Sequence, residues 1–521
     1  MKKRNILFAL CFAGVAASAQ PTIQWQKTFG GSSYDEPYSI IQTTDGGHIV
    51  AGASASANGD IFGNFGGDDF WIIKLSNVGS VQWKKNLGGT GNDIANSIQQ
   101  TSDGGYIVAG DTESNNYNVT GNHGGFTDGW VVKLSSTGNI QWQKALGGSG
   151  WDDFLSVQQT SDNGYILTGR SDSSDGDVTE NKGFIDLWVV KLSESGGIQW
   201  QKTYGGSKED LGNSVKQCPD GGYIIVGETA SPDGDATGLH GNVDFWVLKL
   251  SANGALEWQK TLGGNNGDIG SDVVLTPDGG YIVTGYVGSH NTGDITGHDE
   301  LAYFDAWVVK LNSAGELQWQ KTVGGTGYEY ARSVIAANTG GYVIAGSTSS
   351  TDGDVGFMHG LRDFWVFKLD EMGELVWQQA YGGTKAEHCY SIANTTDNGF
   401  IMTGYAWSVD GDVAGAVNLG RNEYWIVKLS PENTSPTVSP SSLENTLDIF
   451  PNPAQQYVTI KVPSATASLR VVVSDMLGRE VSRQSISNGS TLDIALLAPG
   501  LYQLAVHTED GRVFWGKLEK L

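Results

Sequence analysis

Residues 97–144 read Ser97-Ile98-Gln99-Gln100-Thr101, Asp103-Gly104-Gly105 and Tyr106-Ile107-Val108-Ala109-Gly110. A polar stretch at 111–128 follows, then Trp130-Val131-Val132-Lys133-Leu134, Thr137-Gly138-Asn139 and Ile140-Gln141-Trp142-Gln143-Lys144. Four short runs rich in β-branched and aromatic residues are cut by two glycine turns and one long loop. This predicts four antiparallel strands. Glycine suits the turns because it takes positive φ without steric cost. No segment of the chain sustains a helical period.

The same unit recurs along the chain. One tryptophan ladder is Trp25, Trp83, Trp142, Trp200, Trp258, Trp319 and Trp377, at spacings of 58, 59, 58, 58, 61 and 58. A second is Trp71, Trp130, Trp188, Trp246, Trp307, Trp365 and Trp425. A four-stranded repeat of this length matches a propeller blade better than a solenoid coil. The phase of the array argues for closure. The fourth-strand motif appears first at Ile23-Gln24-Trp25, and the last unit has only three strands, at 391–395, 400–404 and 424–429. The leading strand would complete the last blade and remove an open sheet edge. The expectation is an all-β, seven-bladed β-propeller over 20–430, closed by its N-terminal strand, with both ladders packed between blades.

Residues 1–19 read as a secretory leader: Lys2, Lys3 and Arg4, an apolar run too short to span a bilayer, and Ala17-Ser18-Ala19 before Gln20. No membrane-spanning run follows. The chain carries 57 acidic against 32 basic residues, a formal net charge of −25. Losing the leader removes three bases and no acid. Such a surface disfavours nucleic acid and anionic membranes. Cys218 and Cys389 occupy different repeat positions, so no disulfide is expected between them.

Antiparallel strands send successive connections to alternate ends, so the two tight turns of each blade share one face. The long loop and the inter-blade link share the other, and long loops on a rigid scaffold are where binding sites usually sit. That face is acidic in sequence. The link carries Asp35, Asp93, Asp152, Asp210, Asp268, Glu329 and Glu387, of which the last five join Trp151 and Trp407 as candidate ligand contacts. The long loops carry Asp175 and Asp177, Asp233 and Asp235, Asp352 and Asp354, and Asp410 and Asp412. These suit Ca²⁺ as the one candidate cofactor, or else cap turns. A further acid precedes each third strand. His123, His240 and His359 lie on blades 2, 4 and 6, too far apart for one zinc ion unless the loops fold over the axis. Trp151, Trp407, Arg170, Arg332, Arg362 and Arg421 are the main departures from the repeat. The two tryptophans could stack a sugar ring or simply pack loop tips. No nucleophile elbow, zinc-protease helix or phosphate loop is present, and no catalytic residue is assigned. The leading function is a non-enzymatic glycan- or protein-binding module. The alternative is a secreted carbohydrate-active enzyme, hydrolase or lyase, using acids of the loop face.

Residues 431–446 read as a Ser/Pro/Asn/Thr linker, and 447–521 as a small β-sandwich with strands at 457–462, 469–474, 491–494, 501–507 and 513–518. Leu447-Asp448-Ile449-Phe450-Pro451-Asn452-Pro453, Asp475-Met476-Leu477-Gly478-Arg479 and Leu497-Ala498-Pro499-Gly500-Leu501-Tyr502 resemble the C-terminal sorting domain of type IX secretion substrates (the Por secretion tail, type A), with Phe450 in place of the commoner Tyr. On that resemblance Pro451, Asn452, Pro453, Asp475, Gly478, Arg479, Gly500 and Tyr502 are the sorting motif. It implies a Bacteroidetes-type bacterium, Sec export, passage across the outer membrane by the type IX machinery, and removal of the tail by its sortase. The product is then released or attached to surface lipopolysaccharide. The body resembles the Asp-Gly-Gly-Tyr and Trp-Val-Val-Lys-Leu repeats of many bacterial and archaeal surface proteins, which implies a propeller and no particular activity.

Overall fold

The computed structural model describes residues 20–298, 302–413, 421–432, 448–462, 468–474, 480–508 and 513–521. The expected leader and nearly all of the expected linker lie outside them. The chain divides into two compact units, one ending at residue 433 and the other running from 434 to 521.

The first unit is a ring of seven four-stranded antiparallel sheets. Blades 1 to 6 use consecutive strands within 35–87, 93–146, 152–204, 210–262, 268–323 and 329–381. Blade 7 takes Glu387–Asn394, Phe400–Ala406 and Glu423–Leu429 from the end of the array and Ile23–Phe29 from its start. The joining pair is antiparallel, with Trp25 opposite Lys428 and Phe29 opposite Tyr424. No blade is left short of its fourth strand.

Each third strand is flanked by strands on both sides and by blades above and below. All seven of its residues are buried in every blade. This is why it reads as an almost unbroken apolar run. Its tryptophans, Trp71 through Trp425, are at most 1% exposed, and each burial contributes about 2–3 kcal/mol. Where they need a polar partner the fourth strand supplies it: Trp130 Nε1 donates to Gln143 at 2.7 Å and Trp188 Nε1 to Gln201 at 3.0 Å. The other ladder departs from expectation. Six of its seven tryptophans are only half-buried, because the fourth strand is the outer edge of its blade. Each still packs on the next blade, as Trp83 does on Tyr106, with ring centroids 5.9 Å apart. Gly138, at φ +75°, is fixed twice over: a Cβ there would be strained and would lie 3.0 Å from the Trp83 ring.

On the tight-turn face a buried third-strand lysine meets the aspartate of Asp-Gly-Gly. Lys74–Asp45, Lys133–Asp103 and Lys191–Asp162 are 3.0, 2.9 and 3.0 Å. Blade 6 has Thr339 where that aspartate would stand. Lys368 pairs instead with Glu432, at 2.6 Å, just beyond the last propeller strand. Glu432 also accepts from Thr339 Oγ1 at 2.8 Å and from Trp377 Nε1 at 3.2 Å. The departing chain therefore crosses from blade 7 to blade 6 on this face and is pinned there.

The innermost strand of every blade carries a β-bulge near its start. In blade 2, Ala95 pairs with Gly110 and Ser97 with Ala109, which leaves Asn96 outside the ladder. The expected strand beginning at Ser97 therefore begins earlier, at Asp93.

The second unit is a β-sandwich of a three-stranded and a four-stranded sheet. Its core is built from Val458, Ile460, Leu469, Val471, Val473, Leu504 and Val506. It has two strands beyond those expected, Asp448–Phe450 and Glu480–Ser487. The second of these, Glu-Val-Ser-Arg-Gln-Ser-Ile-Ser, is an edge strand too polar to stand out in the sequence. Pro451, Asn452 and Pro453 are exposed, Gly500 begins a strand, and the Tyr502 hydroxyl donates to the Ala498 carbonyl at 2.8 Å. Asp475, Gly478 and Arg479 lie outside the described residues.

Candidate functional site at the axial mouth

The repeated acids do not form the loop-side surface. Asp35, Asp93, Asp152, Asp210, Asp268, Glu329 and Glu387 are all 0% exposed. Each accepts the backbone N–H of the glycine four residues earlier, as Gly148 donates to Asp152 at 2.8 Å and Gly325 to Glu329 at 2.9 Å. Hydroxyls at the end of the second strand complete the shell: Ser173 Oγ donates to Asp152 at 2.7 Å, and Ser171 also donates. Burial pushes Asp152 up to about 6 against these donors. The expected ligand contacts Asp152, Asp210, Asp268, Glu329 and Glu387 are thus internal braces that tie each inter-blade link to its blade, with no surface for a ligand. The readable signal was a serine 21 residues after each acid, from Ser56 after Asp35 to Ser408 after Glu387.

The Asp-Gly-Asp pairs serve the same links from outside. Asp175, Asp233, Asp352 and Asp410 accept the N–H of Ser149, Ser207, Thr326 and Thr384 at 2.7–2.8 Å. Asp177, Asp235, Asp354 and Asp412 accept from Gly147, Gly205, Gly324 and Gly382 at 3.1–3.3 Å. The two carboxylates of a pair thus cap two different backbone N–H groups, the turn-capping alternative to the Ca²⁺ expectation. Among the described residues no group of three or more His, Cys, Asp or Glu side chains is gathered as a metal ion needs. Each recurring histidine pairs with the acid before its own third strand, His123 with Asp128 at 2.7 Å and His359 with Asp363 at 2.8 Å.

Blade-specific chemistry converges elsewhere, on the axis. A channel of about 390 Å³ runs through the ring, lined by the innermost strand of every blade. Below the bulges, six serines and one aspartate form a belt. Ser39 Oγ accepts from Ile98 N at 3.3 Å and Ser97 Oγ from Val157 N at 3.2 Å, so each blade is tied to the next. Asp272 takes the serine's place in blade 5, accepting from Ser214 Oγ at 2.7 Å and from Val334 N at 3.0 Å. The bulge residues themselves are Tyr38, Asn96, Leu155, Asn213, Ser271, Arg332 and Tyr390. All seven line the channel. A bulge re-aims a side chain out of the ladder, which frees these positions from the repeat.

At the loop-side mouth the wall is two-sided. Blades 5, 6, 7 and 1 contribute aromatic rings and guanidinium groups. Arg332 lies over Tyr286 and Tyr330, at 5.2 and 5.6 Å, and Arg362 lies over Tyr330 at 5.1 Å. His388 stacks on Tyr405 at 4.8 Å, and Tyr38 meets Tyr390 at 5.2 Å. Arg362 Nη1 is 3.0 Å from His388 Nε2. Since arginine can only donate, that nitrogen accepts. Burial first, then Arg362 and Arg332, push His388 down to about 3. Blades 2 to 4 contribute acids. Arg170 Nε pairs with Asp153 at 2.7 Å and lies over Trp151 at 5.0 Å. Burial raises Asp111 well above the usual carboxylate range, and raises Glu228 to about 7 although Arg170 and Arg332 pull it down. Of the two expected stacking platforms, Trp151 is 46% exposed and joins this wall through Arg170, and Trp407 is 41% exposed in blade 7.

Residues 448–518 match the family described as the secretion system C-terminal sorting domain. This tail is a type IX sorting domain, which implies delivery to the cell surface or the extracellular space and an interaction with the secretion machinery. No helix among the described residues is long and apolar enough to cross a membrane. The regulatory protein FlaEY of Caulobacter vibrioides is 24% identical over 251 residues, covering 44% of this chain, and the match spans 26% of that protein's length. Among solved structures, the WD40 domain of Neurospora crassa Pan2 aligns with a TM-score of 0.44 and 8% identity, over 79% of this chain and 96% of that one. Drosophila Plexin A in complex with Semaphorin 1b aligns at 0.39 and 7%, over 79% and 88%.

Proposed function

We propose that the protein is an exported, non-enzymatic binding module that takes up a glycan or a protein segment at the loop-side mouth of its axial channel. One observation carries the reading. The scaffold repeats sevenfold down to its buried braces, yet the bulge ring holds five residue types in seven blades, and the side chains above it differ from blade to blade as well. Packing between like blades does not call for that asymmetry; a ligand does. Half-buried tyrosines with polar tips are the side chains that stack on sugar or peptide while keeping a hydrogen bond. The test is a glycan array and pull-down with the exported chain and its Tyr390→Ala and Tyr405→Ala variants. Binding should weaken at least about tenfold in both. A ligand held equally well by both variants would place the site elsewhere.

A second reading has support in Glu228. A carboxyl raised to about 7 facing blade-specific acids is suited to general acid catalysis near neutral pH. A carbohydrate-active enzyme built on it would hydrolyse a polysaccharide and lose turnover in Glu228→Gln while keeping affinity. Absence of turnover across a polysaccharide panel would remove it.

A further inference from the structure

The ring places two positive charges side by side at the axis of an acidic protein. Arg332 rises from the bulge of blade 6, and Arg362 stands just before the third strand of that blade. Both guanidinium groups lie over the Tyr330 ring. Among the described residues neither forms an ion pair with a carboxylate. The contrast is Arg170 across the mouth, held by Asp153 at 2.7 Å. With 57 acids in the chain, carboxylate partners are abundant, yet these two arginines share the Tyr330 ring instead, and Arg332 lines the channel. Like charges so placed repel, and the repulsion grows as water is excluded. His388 registers the same field, since both arginines help hold it neutral. As a neutral acceptor it also turns one N–H of Arg362 to itself, which leaves the rest of that fork for a ligand.

We infer that the ligand of this mouth is an acidic saccharide, a uronate-bearing oligosaccharide whose carboxylate docks between Arg332 and Arg362. The inference rests on the axial mouth being the binding site and adds the ligand's charge and class. Guanidinium forks match a planar carboxylate in two-point contact. Tyr38, Tyr390 and Tyr405 beside them offer ring faces for a pyranose, and Asn96 and Asn213 lie on the other wall. That wall also holds the carboxyl groups of Asp111 and Glu228, which burial holds toward the protonated form and which can share hydrogen bonds with sugar hydroxyls. A channel of about 390 Å³ is at the small end of ligand pockets, roughly 300–1,000 Å³, and holds one or two sugar rings.

The experiment is titration calorimetry on the full exported chain with a galacturonate tetramer, its fully methyl-esterified form, and a short peptide ending in a free carboxylate. The acid tetramer should bind, and esterification should weaken it at least about tenfold, as loss of a charge-assisted pair does. Arg332→Gln and Arg362→Gln should weaken it by a similar factor at unchanged melting temperature. The acid-versus-ester comparison uses the unaltered protein, so it stands if a variant misfolds. Equal binding of acid and ester, undiminished binding in both variants, or no binding of the acid by the unaltered protein overturns the inference. Arginine-dependent binding of the peptide in place of the tetramer overturns the saccharide class. In each of these the mouth survives as a site if Tyr390→Ala still abolishes some binder. If Tyr390→Ala leaves every binder untouched, it is the mouth itself that fails.

Discussion

Asp152 shows how much one carboxylate does here. Its two oxygens gather the Gly148 amide and the hydroxyls of Ser171 and Ser173. Asp152→Ala would strand three buried donors at once. The expected loss is about 2–4 kcal/mol, read as a lower denaturant midpoint; a midpoint within error of the parent would contradict the brace. At this scale the sequence was only partly legible. Arg332 and Arg362 could be picked out because they break a repeat. Tyr38 and Tyr390 could not, because their place at the axis depends on a bulge, which shows only in the pairing with the second strand. The acids misled for a related reason. An aspartate after Gly-Gly looks the same whether it turns outward or folds back onto its own link, and only the serine 21 residues on distinguishes the two.

At the scale of the element, the third strand and the tight turn were the most readable parts. Full burial leaves a strand no polar face to blur the pattern, and the turns demand glycine. The fourth strand was overread as core, since its tryptophan is as regular as the buried one although it stands on an outer edge. Blade 6 is where an element breaks its rule and is repaired from outside. Glu432 supplies the carboxylate that Thr339 lacks. Glu432→Gln should therefore cost about 3 kcal/mol or more, because the buried Lys368 loses its counter-charge. Adding Thr339→Asp should recover most of that loss by restoring the pairing found in blades 1 to 5. Melting temperatures of the single and double variants test this, and a double variant no better than the single one would refute it.

For the whole molecule, the closed ring was legible from phase alone, because a leading fourth strand has no use unless it meets a last blade short of one. Many buried acids then give the ring a shared response to pH. Burial raises Asp35, Asp152 and Asp186 to about 6 and Asp69 to about 7. A carboxyl that holds its proton more tightly folded than unfolded stabilises the fold below its unfolded value, near 4, and loses that contribution as pH climbs through the folded value. The lysine-paired Asp45, Asp103, Asp162 and Asp278, held down at about 2, act oppositely: they stabilise above pH 4 and fail as pH falls toward 2. Scanning calorimetry should accordingly find the melting temperature falling from pH 5 to pH 8, and falling again below pH 4. A profile that rises steadily toward pH 8 would contradict the buried-acid assignment.

The crossing at Glu432 also settles a matter of bearing. The chain quits the ring on the tight-turn side, while the tyrosine- and arginine-lined opening looks out of the opposite side. Any pull arriving at Glu432 is therefore taken up by Lys368 and Thr339 of blade 6, on the face away from that opening.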